Sequence, residues 1–231
     1  MTRALLHGFL GDPCVWDGIT TGRAIALPGH HDAPIAPTWA ENLEAIAREV
    51  RGCEVAIGYS LGARVALGLL AIDAVPRVVL ISVNPGLPGI PGIPGADDSA
   101  RDTRRQHDRI WATRFRSEPL PVVLDAWEAQ PLFATQARVA PDILAARRAR
   151  RQKLDPAALA HSLEAMGLAE MPDYRAAITR DRCTLVVGAD DAKYVALART
   201  LDAPVHVIDH AGHDPLLEQP VALAKVLASL S

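Results

Sequence analysis

The sequence predicts an α/β protein: a mostly parallel sheet flanked by helices, with an all-helical cap inserted after a central strand. Three observations predict it. Apolar runs alternate with helical periodicity at both ends of the chain, as in βα units whose sheet is covered on both faces. One such run passes into a helix through Gly58-Tyr59-Ser60-Leu61-Gly62, a G-x-S-x-G stretch. From Asp97 to about Ile178 the periodicity is helical throughout, with arginine-rich faces and no convincing strand.

Taken in order, Arg3 to His7 and Arg23 to Leu27 read as short strands, the second ending in Pro28-Gly29. Thr38 to Val50 reads as a helix, because Thr38 as N-cap and Glu41 three residues on form a capping box. Val55 to Tyr59 is the strand before the serine, Leu61 to Ala71 the helix after it, and Arg77 to Val83 a further buried strand. Pro85 to Ala96 repeats Pro-Gly-x triplets and is expected to be an extended connector, since so few triplets cannot make a collagen helix. Cys183 to Val187 and Val205 to Ile208 complete the strands. Ala192 to Leu201 and Val221 to Leu230 are the closing helices. The expected division is 1–96 and 179–231 as core, with 97–178 as a cap roofing the carboxyl edge of the sheet, where open α/β sheets bind ligands.

Composition excludes several classes. With 231 residues the chain can bury a substantial core, and its net charge of -3 argues against a general nucleic-acid binder. No run approaches the roughly 20 apolar residues of a membrane span, and no leader is visible, so a cytoplasmic protein is expected. Cys14, Cys53 and Cys183 are scattered and read as buried apolar residues rather than a disulfide or zinc framework. His7, His30 and His31 lack the carboxylate or cysteine spacing of a metal site, so no metal and no cofactor are expected.

The chemistry is expected around Ser60. A strand-to-helix turn is the setting of a nucleophile elbow, and side chains at Gly58 or Gly62 would collide where strand and helix cross. A serine hydroxyl needs an imidazole to take its proton and an acid to hold that imidazole. Asp190-Asp191 and Gly212-His213 follow later strands in the chain order serine, acid, histidine. Only one of the adjacent aspartates can point inward, and we take Asp191. Of His210 and His213 we take His213, with Gly212 supplying a tight turn and His210 capping the strand end. An oxyanion hole would use the Leu61 amide and, from the loop His7-Gly8-Phe9-Leu10-Gly11, the Phe9 amide. His7 and Gly8 would shape that loop. Arg64 lies one helical turn past Ser60 on the same side, which suits a substrate carrying carboxylates better than a neutral ester.

His7-Gly8-Phe9-Leu10-Gly11, Trp16, Pro28-Gly29-His30, the serine elbow and Gly212-His213 together resemble the α/β-hydrolase superfamily over nearly the whole chain. A narrower resemblance rests on five features. They are Arg64, Asn84-Pro85-Gly86-Leu87, Arg104 ahead of Asp108-Arg109-Ile110-Trp111, Trp127 to Phe133, and Gly188 to Tyr194. These are similar to the 2-succinyl-6-hydroxy-2,4-cyclohexadiene-1-carboxylate synthases of menaquinone biosynthesis. The resemblance implies a lyase on a hydrolase scaffold that eliminates pyruvate from a polyanionic cyclohexene without a cofactor. It implies Ser60, Asp191 and His213 as the triad and Tyr59, Arg64, Arg104, Trp127 and Arg148 as substrate-site residues. A carboxylic-ester hydrolase acting through an acyl-serine would use the same triad, so the two readings stay open on catalytic residues alone. A non-catalytic binder on this scaffold would not need all three groups.

Overall fold

The computed structural model describes residues 2–87 and 99–230. Six parallel strands form one sheet: β1 (Arg3–Leu6), β2 (Arg23–Ile25), β3 (Val55–Tyr59), β4 (Arg77–Ile81), β5 (Cys183–Gly188) and β6 (Val205–Ile208), in the order β2-β1-β3-β4-β5-β6. The register places Leu6 of β1 beside Gly58 of β3, and Tyr59 beside Ile81 of β4. The loops leaving β1, β3, β5 and β6 therefore open on one edge, which sets the position of every group discussed below.

The inner strands are apolar on both faces because both faces are covered. Ala56, Leu80 and Leu185 pack with α1 (Trp39–Glu49) and α2 (Leu61–Ala71) on one side. Ile57, Val79 and Val186 pack on the other with Trp16 and with Leu223 and Leu227 of the last helix. Helix α2 is apolar nearly all round, and Val65, Leu67, Leu69 and Leu70 have no exposed surface. Thr38 and Glu41 form the expected capping box at the start of α1.

Between β4 and β5 the described chain is helical: α3 (Ser99–Ser117), α4 (Leu120–Glu128), a 3-10 segment (Pro131–Arg138), α5 (Pro141–Arg151) and α6 (Pro156–Ala165). Trp111, Phe115, Val123, Leu124, Leu159 and Leu163 give this cap its own small core, to which Leu10 of the sheet domain is added. The return segment rejoins the main core before the expected boundary at 178: Met166, Leu168, Met171 and Ile178 all pack there. Of the Pro-Gly connector, residues 88–96 lie outside the described residues, as do Asp97 and Asp98 at the expected start of the cap.

Several local expectations change. Strand β4 stops at Ile81 because Ser82 adopts φ +53°. Helix α7 (Ala192–Ala198) is shorter than expected. The closing helix α9 (Pro220–Ser229) is preceded by a separate turn, α8 (Pro215–Glu218); Gln219, pushed out of the helical region ahead of a proline at φ -143° and ψ 56°, divides them. Cys14 is exposed rather than buried, whereas Cys53 and Cys183 are buried.

Candidate active site

The structure brings Ser60, His213 and Asp191 into one hydrogen-bonded line. Ser60 follows β3 at φ +51° and ψ -106°, a conformation a non-glycine residue adopts only at a cost, on the order of 1–3 kcal/mol. A Cβ on Gly58 would overlap the Gly62 backbone, and one on Gly62 would overlap the Leu6 carbonyl, so both must be glycine for the turn to close. Ser60 Oγ lies 3.2 Å from His213 Nε2, and Asp191 Oδ2 lies 2.8 Å from His213 Nδ1. The carboxylate makes Nδ1 the protonated nitrogen, which leaves Nε2 free to accept the serine proton. Asp191 also uses Oδ1 to cap α7 (Ala192–Ala198) through the Tyr194 amide, so the helix fixes its rotamer. Asp190 points out to Arg138, 2.6 Å away.

The His213 loop is held by a residue sequence reasoning missed. Glu218 accepts hydrogen bonds from the backbone N–H of Gly212 (2.7 Å) and of Asp214 (3.3 Å), gripping the peptides on either side of the imidazole. Gly212 is required for a different reason from the one expected. Its φ is not in the left-handed region; a Cβ there would run into the Thr135 side chain of the cap. The exposed His210 sits in a left-handed turn at φ +58° after β6.

Two buried histidines shape the loop after β1. His7 Nδ1 donates to the Gly8 carbonyl at 2.7 Å and Nε2 accepts from the Leu27 amide at 3.0 Å. His30 Nε2 accepts from the Leu10 amide at 3.1 Å and Nδ1 donates to the Pro28 carbonyl at 3.2 Å. Both rings must be neutral to accept, and burial pushes their pKa values down to about 4 and about 3. Gly11 also donates to the Gly8 carbonyl. Because the peptide is planar and trans, fixing that carbonyl points the Phe9 N–H the opposite way. Phe9 and Leu61 both line the cavity beside Ser60, and among the described residues neither amide has a protein acceptor. Both amides are thus free to donate to a ligand oxygen in the cavity.

The cavity encloses about 400 Å³ between the sheet edge and the cap. Of the residues the resemblance assigned to the substrate site, Tyr59, Arg64, Arg104 and Trp127 line it and Arg148 does not. Arg148 is turned away to Glu128 (2.9 Å), Asp125 (2.6 Å) and the Pro121 carbonyl (2.6 Å), bracing α5 against α4. The residues of α5 that do line the cavity are Arg147, Arg150 and Arg151. Arg147 and Arg151 share one helix face by i,i+4 spacing, which was the available sequence signal.

Most of these cations already hold an anion. Arg104 Nε donates to both Asp108 oxygens at 2.9 Å, Arg150 pairs with Asp12 at 2.9 Å, and Arg151 with Glu128 at 2.7 Å. Arg147 reaches Gln136 at 2.7 Å and Asp214 only at 3.5 Å. Arg64 is the exception: its hydrogen bond among the described residues is to the Met166 carbonyl, 2.9 Å away, and no carboxylate touches it, Asp108 acting on it only through space. Burial, aided by the neighbouring Arg104, lowers its pKa to about 10, which still leaves it charged at neutral pH. Among the described residues no group of three or more His, Cys, Asp or Glu is arranged to hold a metal ion. No described helix is long and apolar enough to cross a membrane.

A nucleophile elbow, a hydrogen-bonded serine–histidine–aspartate line and a helical cap on a parallel sheet define a class, and the sequence agrees: the chain belongs to the alpha/beta hydrolase family, whose pattern matches residues 4–226. Within that family it is similar to curated 2-succinyl-6-hydroxy-2,4-cyclohexadiene-1-carboxylate synthases. It is 35% identical to the one from Enterobacter sp. (strain 638) over 241 residues, 97% of this chain and 89% of the relative. It is 36% identical to the one from Klebsiella pneumoniae subsp. pneumoniae over 247 residues, 97% of this chain and 92% of the relative. The solved structure of MenH from S. aureus shares the fold at a TM-score of 0.87 and 22% identity, covering 99% of this chain and 92% of that one. The enol-lactonase from Burkholderia xenovorans LB400 shares it at 0.73 and 19% identity, covering 98% and 89%.

Proposed function

We propose that this enzyme is a cofactor-independent carbon–oxygen lyase that eliminates pyruvate from an anionic cyclohexene carboxylate in menaquinone biosynthesis. Arg64 carries the reading: a guanidinium one turn beyond the nucleophile, lining the cavity without a carboxylate of its own, is costly to leave unpaired and matches a substrate carboxylate. The names of the curated relatives support the same activity.

In this reading His213, held by Asp191, takes the Ser60 proton, and Ser60 removes a proton alpha to a substrate carbonyl. The electron pair moves onto the carbonyl oxygen, where the Phe9 and Leu61 amides stabilise the enolate. Its return breaks the carbon–oxygen bond, and the enol form of pyruvate leaves with a proton from His213. Arg64, Arg104 and Arg147 bind carboxylates, and Tyr59 and Trp127 shape the walls. An ester hydrolase would use the same triad to form an acyl-serine, but a neutral ester leaves Arg64 unmatched.

Two assays on purified protein separate these readings: pyruvate release from the menaquinone-pathway intermediate, and hydrolysis of short p-nitrophenyl esters. Pyruvate release that disappears in Ser60→Ala is expected. Fast ester turnover without pyruvate release would overturn the lyase reading.

A further inference from the structure

Tyr194 packs against the His213 ring and lies within electrostatic reach of Arg64. Its backbone amide is capped by Asp191, and its ring stands 4.6 Å from the His213 ring at 60°. It lines the cavity, and Arg64 and Arg104 both lie within electrostatic reach of its hydroxyl. Among the described residues that hydroxyl has no hydrogen-bond partner, and it is not one of the occluded polar atoms such as Ser82 Oγ or Ser162 Oγ. A phenol opening onto a cavity beside two guanidinium groups, with nothing in the protein to donate to, is a donor kept for a ligand.

We propose that Tyr194 donates a hydrogen bond to the same substrate carboxylate that Arg64 and Arg104 bind, so that these three side chains form one carboxylate subsite next to His213. The inference rests on the anionic-substrate reading above and adds to it a residue to which no role was assigned. Burial raises the Tyr194 pKa despite the opposing pull of Arg64, which keeps the phenol protonated and able to donate. Two cations with one neutral donor complement a carboxylate's two oxygens, and each charge-assisted bond is stronger than a neutral one. The subsite also ties recognition to catalysis through Asp191, which holds His213 with one oxygen and the Tyr194 backbone with the other.

Tyr194→Phe tests this without disturbing the fold, since it keeps the ring against His213 and removes only a hydroxyl that the protein does not use. Binding of phthalate, a cyclic dicarboxylate, is measured by titration calorimetry for wild type, Tyr194→Phe, Arg64→Ala and the double variant. Expected are an unchanged Tm for Tyr194→Phe, a Kd raised about tenfold, and a much smaller effect when Arg64 is already alanine, as for partners on one carboxylate. A Kd equal to wild type in Tyr194→Phe would overturn the proposal while leaving the anionic reading in place. Equal losses in both backgrounds would overturn the shared subsite. If the wild-type protein binds no phthalate, the anionic reading itself fails and this inference with it.

Discussion

Arg64 and Arg148 are both helix arginines near the cavity, yet their partners give them opposite tasks. Arg148 is satisfied by Glu128, Asp125 and a carbonyl, so it can offer a ligand nothing. Arg64 has one carbonyl and faces the cavity. We therefore expect Arg64→Ala to lower kcat/KM for the anionic substrate by about 100-fold, on the scale of losing a charge-assisted contact. Arg148→Ala should leave kcat/KM within about twofold and cost about 1 kcal/mol of stability, read as a lower Tm. A large kinetic loss in Arg148→Ala would show that α5 turns its other face to the substrate. Placement was legible in the sequence where a motif fixes the backbone, as at Ser60 and its flanking glycines. It was not legible on α5, where Arg147, Arg148, Arg150 and Arg151 crowd one turn. There the choice depends on which face packs against α4, and that is decided by Glu128 from elsewhere in the chain.

Elements hold these residues still. Strands Val55–Tyr59 and Val205–Ile208 and the helix Leu61–Ala71 were read from the sequence to the residue, because their apolar runs end at turn residues. Helix α8 was not foreseen, since a four-residue turn has no periodicity to detect. It nevertheless carries Glu218, whose two carboxylate oxygens accept from the backbone N–H groups of Gly212 and Asp214 and so fix the peptides around His213. Glu218→Ala should lower kcat roughly tenfold with little change in KM, because it loosens the base rather than the substrate contacts. Steady-state kinetics decide this; a change confined to KM would place Glu218 in binding instead. Helix α7 plays the matching part for Asp191, and the rotamer of that carboxylate depends on the helix forming.

For the whole molecule, the buried His7 and His30 make stability fall in mild acid. Both pKa values are depressed by burial, to about 4 and about 3, from 6.5. Below pH 6.5 the unfolded chain takes up protons that the folded chain refuses, so this contribution is full above pH 6.5 and is lost progressively as pH falls toward 4. At pH 5 His7 alone costs about 2 kcal/mol. Tm should therefore drop between pH 7.5 and 5, and His7→Gln should flatten that drop. An equal slope in the variant would assign the acid sensitivity to other groups.

The cap does more than cover the cavity. Phe9 packs 4.9 Å from Trp127, Leu10 sits in the cap's own core, Arg151 donates to the Leu10 carbonyl, and Arg150 pairs with Asp12. The stretch that supplies the proposed oxyanion donor is thus upholstered by the cap as much as by the sheet. A lid transplanted from a relative would arrive without these fittings, so such a chimera should lose turnover along with its native selectivity, and redesign of this scaffold has to move lid and loop as a single graft.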